Sequence, residues 1–484
     1  MSINKLFNDK AGLIMNKVLA LIPITLFIYG GRKVFFPKVL QQDDLKELDI
    51  KSLQNFSCVW YEGDNHPLWS SIIWTISRTG MPADTVVVLL NTILAISSLF
   101  LIYYFLEKKY SSLYALLGGA ILGSSFVFTY YSSNLKQYQI EILYSIVALL
   151  LYERFENSKR DYYRFVLLAT FFGLLSKATI LISLLFVLAL AIDSIKSNKN
   201  LFLYFLILSV PGFLFVNNKI SRETYESYWS EFFINTNSLD GFTDSIYFLF
   251  SLFTKGLFGD TLWRIGLVIF FFSFIYSLIK RQATFAVVSI FSLIGCSVLG
   301  LYPLGGGRTD IMFYPFVLLL IINFISEVKI TKDYLKVVPL LVLIVSSTFI
   351  DSEPVYKKEN IDKAVYQIFN QSKNSVVLVA DEQYIGFTHY SKNIFGEIVD
   401  QNNTWCNKKV VNNGRIHNLR DGYNESFIEE INIPSNISVW VVGIELEGTN
   451  GRFRLAEDYL IKKDYKKIAE HKFDVGIYAI EYKK

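Results

Sequence analysis

Adjacent carboxylates at Asp43 and Asp44 open a polar stretch that closes on Asp64-Asn65-His66-Pro67-Leu68. A carboxylate held beside a hydroxyl can take its proton and make it nucleophilic, an effect of about 10²–10⁴-fold. The same residues also have a purely structural reading. Asp is a favoured helix N-cap, acidic groups suit a first helical turn, and Leu45 to Asn55 would be the helix. His66 before Pro67 equally suits a helix start. Acidic groups beside a His, flanked on both sides by long apolar runs, nevertheless mark this stretch as the place for chemistry.

Two further clusters carry charge into apolar surroundings. The run from Tyr130 to Glu141, YYSSNLKQYQIE, sets Lys136, Tyr138 and Glu141 at the edge of a hydrophobic segment. Ionisable groups are costly there and usually face partners or ligands. Lys136 could instead snorkel to an interface; Glu141, further in, is harder to explain that way. Ser176-Lys177 returns another cation between two apolar runs. The third cluster is Tyr302-Pro303-Leu304-Gly305-Gly306-Gly307-Arg308-Thr309-Asp310. Its glycines let the backbone approach closely, and Arg308 offers a planar fork suited to phosphate oxygens. A plain glycine turn with a solvated Arg is the alternative.

These clusters need elements to hold them. The chain has 484 residues, 52% hydrophobic and 16% aromatic, with mean hydropathy +0.35. That is too apolar for a soluble chain of this size and predicts an all-α polytopic membrane protein. The formal net charge is only +4, and no basic block interleaved with aromatics suggests nucleic acid. Cys58, Cys296 and Cys406 show no CxxC spacing, so neither a zinc cluster nor a redox motif is indicated. A crossing helix needs about 20 apolar residues. That criterion gives about eleven spans, near 12–30, 84–106, 112–131, 138–152, 163–176, 178–194, 200–217, 262–279, 283–302, 311–327 and 335–350. The first is read as a retained anchor.

Orientation follows from the short loops. Those at 107–109, 153–164, 195–200, 280–281 and 327–336 are rich in Lys and Arg and should face the cytoplasm. Arg32, Lys33 and Lys38 run against this pattern and are outweighed by it. The Asp43 loop (31–83), the 218–261 loop and the C-terminal region then lie outside, and Lys136, Lys177 and Arg308 share their side. Residues 1–350 thus form the expected membrane domain. Residues 351–484 have the composition of a soluble, extracytoplasmic α/β domain, with strands at 375–380, 439–443 and 475–480 and helices near 358–371 and 453–465.

Taken in order, these motifs resemble a family. They are the acidic pair after the first span, Asp64-x-His66-Pro67-Leu68, Lys136-Gln137-Tyr138, and Tyr302-Pro303-x-Gly305-Gly306-x-Arg308. Together they look like bacterial membrane glycosyltransferases of the GT-C fold, similar to the protein O-mannosyltransferases and aminoarabinose transferases, over about residues 1–350. The resemblance implies a sugar donor carried on polyprenyl phosphate and transfer outside the cytoplasm with inversion. It implies Asp43 as the base, at the place of the family's Asp in Asp-Glu, with Asp44 standing where the family has Glu. His66-Pro67-Leu68 replaces the family's doubled proline. Asp64 and His66 would orient the base, hold the acceptor or complete a metal site; some members use a divalent metal, and none is established by this sequence. Lys136, Tyr138, Lys177 and Arg308 would receive the lipid phosphate, whose departing charge needs cations rather than a general acid. The implied partners are the polyprenyl-phosphate-sugar donor, a glycan, lipid or protein acceptor, and the bilayer, a bacterial inner or plasma membrane. A surface-polysaccharide polymerase or ligase would use outer-loop arginines instead. A transporter would place polar residues at mid-membrane, often with internal repeats, and the sequence shows no repeat.

Overall fold

The computed structural model describes residues 18–35, 66–79, 83–155, 158–193, 230–305, 309–328, 333–345, 347–348, 361–371, 375–380, 387, 416–419, 433, 437–444, 450–473 and 477–484. Asp43, Asp44, Asp64, Arg308 and the expected span at 200–217 lie outside these residues. The chain forms two units, whose boundary in the C-terminal half falls between Glu353 and Pro354; residues 70–83 group with the second unit.

The first unit is helical. Its elements in order are α1 (Leu21–Phe35), α2 (Pro67–Arg78, whose first residues belong here), α3 (Ala83–Lys109), α4 (Ser112–Ser124), α5 (Phe126–Ser132), α6 (Tyr138–Glu153), α7 (Lys159–Leu175) and α8 (Ala178–Asp193). After the break come α9 (Leu239–Phe258), α10 (Trp263–Lys280), α11 (Thr284–Val298), α12 (Tyr314–Glu327) and α13 (Asp333–Val345). Among the described residues, Thr85–Lys109 and Trp263–Lys280 are long and apolar enough to cross a membrane. Ser112–Ser124 and Phe126–Ser132 would together supply a third, while Ala178–Asp193, Thr284–Val298 and Ile311–Glu327 are apolar but shorter.

Two elements differ from the sequence expectation. The segment 112–131 is not one straight span: α4 and α5 are bent by 63°. Ser125 makes the break, its side chain accepting from the Phe128 backbone N–H and donating to Gly256 O at 2.7 Å. Ser is a good N-cap because its oxygen satisfies an otherwise orphaned first-turn donor. The 218–261 loop contains α9, capped by Ser238, which accepts from the Gly241 N–H at 3.0 Å. Asp240, Asp244 and Lys255 dilute its apolar content, so a criterion of uninterrupted hydrophobicity passes over it.

Side-chain contacts fix the direction in which each helix runs. Asn91 of α3 bonds the turn before α6, while Lys109 and Glu153 pair where both helices finish. Ser176, just after α7, donates to Glu141 in the first turn of α6. Asp193, at the far limit of α8, accepts from Tyr152. Near the same place Asn323 of α12 bonds both Tyr110 and Gln282. The helices therefore alternate between two ends, here called the His66 end and the basic end. α1 runs toward the His66 end, Phe27 packing edge-on against Phe128, and α13 does so too, Ser347 donating to Ser124. At the centre stands α12, buried without interruption from Tyr314 to Asn323 and packed against α4, α6, α10 and α11. Close approach is required where it meets α9: a Cβ on Gly256 would lie 2.1 Å from Tyr314 Oη. Small residues at such contacts are how helices pack when lipid removes the hydrophobic drive.

The second unit contains a five-stranded sheet of order β2-β1-β3-β5-β4, formed by β1 (Val376–Ala380), β2 (Ile416–Leu419), β3 (Val439–Ile444), β4 (Lys466–Phe473) and β5 (Ile477–Lys483). β1 pairs in parallel with β2 and β3, and β5 is antiparallel to β3 and β4. Side chains alternate between faces with period two. Val377, Val379, Trp440 and Val442 pack with Ala364, Val365 and Ile368 of helix α14 (Ile361–Gln371). Val376, Leu378, Val439 and Val441 pack with Ala456 and Leu460 of helix α15 (Asn450–Lys462). Coverage on both faces explains why β1 and β3 read as unbroken apolar runs. β2 (IHNL) and β4 (KKIAEHKF) mix polar with apolar residues and gave no strand signal.

Candidate active site

The turn 133–137 between α5 and α6 is held through its carbonyls. Asn91 Nδ2 donates to Asn134 O at 2.5 Å and to Lys136 O at 2.9 Å, and Trp69 Nε1 donates to Leu135 O at 2.8 Å. Three successive carbonyls are thus satisfied by side chains from two other elements. The backbone that carries Lys136 is thereby fixed, with no need of sheet or helix. Tyr138 opens α6 immediately afterwards and sets its ring edge-on to Tyr131, centroids 4.6 Å apart.

A chain of polar groups leads inward from this turn. His66 Nε2 lies 2.7 Å from Gln137 Nε2, and the same amide nitrogen donates to Glu141 Oε1 at 3.3 Å. Ser176 Oγ donates to that carboxylate oxygen at 2.6 Å. Lys177 follows Ser176 in the turn between α7 and α8. His66, Lys136 and Lys177 are close enough that the two ammonium groups act on the imidazole. Burial first, then the Lys177 and Lys136 charges, hold His66 well below the usual histidine pKa of 6.5. Both effects disfavour the charged form of the ring. His66 Nδ1, Gln137 Oε1 and Asn91 Oδ1 are buried and make no hydrogen bond among the described residues.

Of the residues singled out from sequence, the structure brings together His66, Lys136, Tyr138 and Lys177, with Glu141 behind them. Asp43, Asp44, Asp64 and Arg308 lie outside the described residues. The residues flanking Arg308 are well anchored. Tyr302 Oη donates to Thr309 O at 2.6 Å, and Asp310 Oδ2 accepts from the Gly305 N–H at 2.7 Å. Gly305 has φ +80°, and a Cβ there would meet Leu249 O at 2.7 Å, so this position requires glycine. α11 starts at the basic end and α12 returns to it, so the loop between them lies at the His66 end. Asn91, Trp69, Gln137 and Ser176 were not predicted as site residues. A single Asn inside VVVLLNTILAISS was the signal that could have found the first of them.

Among the described residues no group of three or more His, Cys, Asp or Glu side chains could hold a metal ion.

Residues 64–215 match the family model for dolichyl-phosphate-mannose-protein mannosyltransferase. The resemblance to protein O-mannosyltransferases thus holds over the segment that supplies His66, Asn91, the Lys136 turn, Glu141 and Ser176-Lys177. A similar solved structure is the archaeal oligosaccharyltransferase AglB from Archaeoglobus fulgidus in complex with an inhibitory peptide and a dolichol-phosphate. It has 11% identity and a TM-score of 0.48, covering 97% of this chain and 74% of that one. No curated protein sequence matches the chain.

Proposed function

We propose that this chain is an integral-membrane glycosyltransferase. It moves a sugar from a polyprenyl-phosphate-linked donor to a glycan, lipid or protein acceptor outside the cytoplasm, with inversion. The observation that carries this reading is the convergence of His66, Lys136 and Lys177 at one end of alternating apolar helices, within the segment that matches the family. The basic loops at 107–109, 153–164 and 280–281 all belong to the opposite end, which supports a cytoplasmic location for that end and an outer location for the site. The expected span at 200–217 would restore the alternation between α8 and α9, and about eleven crossings result.

Asp43 takes the proton of the acceptor hydroxyl as its oxygen attacks the anomeric carbon. The bond from that carbon to the phosphate oxygen breaks on the opposite face, and the lipid phosphate leaves with the electron pair. Lys136, Lys177 and Arg308 receive its charge, so no proton need be supplied to it. Tyr138 borders this group, Asp44 supports the base, and Asp64 helps to orient it.

Asp43→Asn separates this function from a structural role. Asn caps helices about as well as Asp but cannot accept the proton. Transfer from lipid-linked donor should fall by at least about 10²-fold, with membrane expression unchanged. Asp44→Asn should cost less. Full transfer in both single variants and in the double variant would remove the carboxylate mechanism.

A further inference from the structure

Gln137 has one amide group and two neighbours to satisfy. Glu141 Oε1 accepts from Ser176 Oγ at 2.6 Å and from Gln137 Nε2 at 3.3 Å, so the amide presents its NH2 to that oxygen. The other hydrogen of that NH2 is then available to His66 Nε2 at 2.7 Å, which must provide a lone pair. A neutral imidazole carries one donor and one acceptor nitrogen. With Nε2 accepting, the proton resides on Nδ1. That atom is buried and has no hydrogen-bond partner among the described residues, an arrangement native proteins seldom leave incomplete. Lys136 and Lys177 lie close enough to weigh on the ring electrostatically, so an anion is the ligand this corner would attract.

We propose that Gln137 and Glu141 hold His66 as its Nδ1–H tautomer, and that this N–H donates to a phosphate oxygen of the lipid-linked donor. The proposal rests on the functional reading above and deepens it. Gln137 and Glu141 are positioning residues; His66 is the group that touches the ligand. A neutral donor adds direction to the two cations without adding a third charge. The tautomer also explains why a Gln, with two amide hydrogens, sits between an imidazole and a carboxylate.

The test uses the full chain in lipid nanodiscs, with polyprenyl phosphate and inorganic phosphate as separate probes. An Asn side chain places its NH2 near the position of Nδ1, whereas Gln reaches toward Nε2. His66→Asn should keep polyprenyl-phosphate affinity within about threefold, and His66→Gln should weaken it about tenfold, the scale of one hydrogen bond to a charged group. Histidine ¹⁵N spectra of the wild type should show His66 protonated on Nδ1. Gln137→Leu should abolish the preference for Nδ1, because it removes the N–H that donates to Nε2. A wild-type Nε2–H tautomer, or His66→Gln binding as well as His66→Asn, would overturn the proposal. Inorganic phosphate binding as tightly as the lipid, with the same dependence on His66, would overturn the lipid assignment. Asp43→Asn should leave all of these readouts unchanged. Loss of the catalytic reading therefore shows in transfer alone, and loss of this one shows in binding and tautomer.

Discussion

At the basic end of the helical unit, polar groups are largely exposed and partnered. Lys109 pairs with Glu153, Arg154 donates to Tyr104 Oη, Tyr152 donates to Asp193, and Asn323 bonds Tyr110 and Gln282. At the His66 end the polar groups are buried or half-buried, and several of their buried atoms have no partner among the described residues: His66 Nδ1, Asn91 Oδ1, Gln137 Oε1 and Thr309 Oγ1. Exposed pairs contribute only about 0–1 kcal/mol each and serve here to tie helix ends together. A buried polar atom without a partner costs about 1–3 kcal/mol, which a fold retains where water or a ligand completes it. Among the described residues, one end is tied together by its own pairs, and the other leaves buried polar atoms unpaired.

The sharpest way to break this contrast is to ask which end faces out. In a cysteine-free background, single cysteines at Lys109 and at Asn237 should differ completely. An impermeant maleimide added to intact cells should label position 237, in the loop bonded to α11 through Ser297, and not 109. Labelling at 109 alone would put the site on the cytoplasmic side. Next in size, Arg308→Ala should lower turnover by about 10²-fold, as removal of a charge-stabilising donor does. Arg308→Lys should recover only part of it, because an ammonium lacks the bidentate fork. Normal turnover in a folded Arg308→Ala protein would take Arg308 out of the site.

Asn91→Leu probes the clamp rather than the ligand. It orphans the carbonyls of Asn134 and Lys136 and should cost about 1–3 kcal/mol in stability, with donor binding weakened because the Lys136 turn loosens. Unchanged melting and binding would show that the turn holds without it. The smallest effect belongs to the basic end: Lys109→Ala should change stability by less than about 1 kcal/mol and leave transfer intact. A large loss of transfer from this exposed pair would erase the distinction between the ends.

Which parts of this were legible in sequence follows from the physics of each signal. Helices in lipid must bury every backbone group and present apolar side chains, so α3, α6, α8, α10 and α11 stand out as hydrophobic runs. The Ser125 break is hidden because one small hydroxyl barely lowers the local hydrophobicity. α9 is hidden because its Asp240, Asp244 and Lys255 resemble a loop. At the site, residue types were informative and pairings were not. His66 and Gln137 are separated by 71 positions, and Ser176 and Glu141 by 35. A charge at a membrane edge can be recognised from its neighbours in sequence, but a donor and its acceptor can be joined only by the fold.

α12 gives the molecule an order of assembly. The helices that wall it, α4, α6, α10 and α11, are all synthesised before it. Tyr110 must wait for Asn323, 213 residues later, to receive its hydrogen-bond partner. At about 5–20 residues per second that delay is roughly 10–40 s. Throughout it, the early helices sit in the bilayer around a place not yet filled, and Gly256 faces no Tyr314. A ribosome that stalls before residue 314 would leave a chain without its central helix, with Tyr110 lacking Asn323 and Gly256 lacking Tyr314.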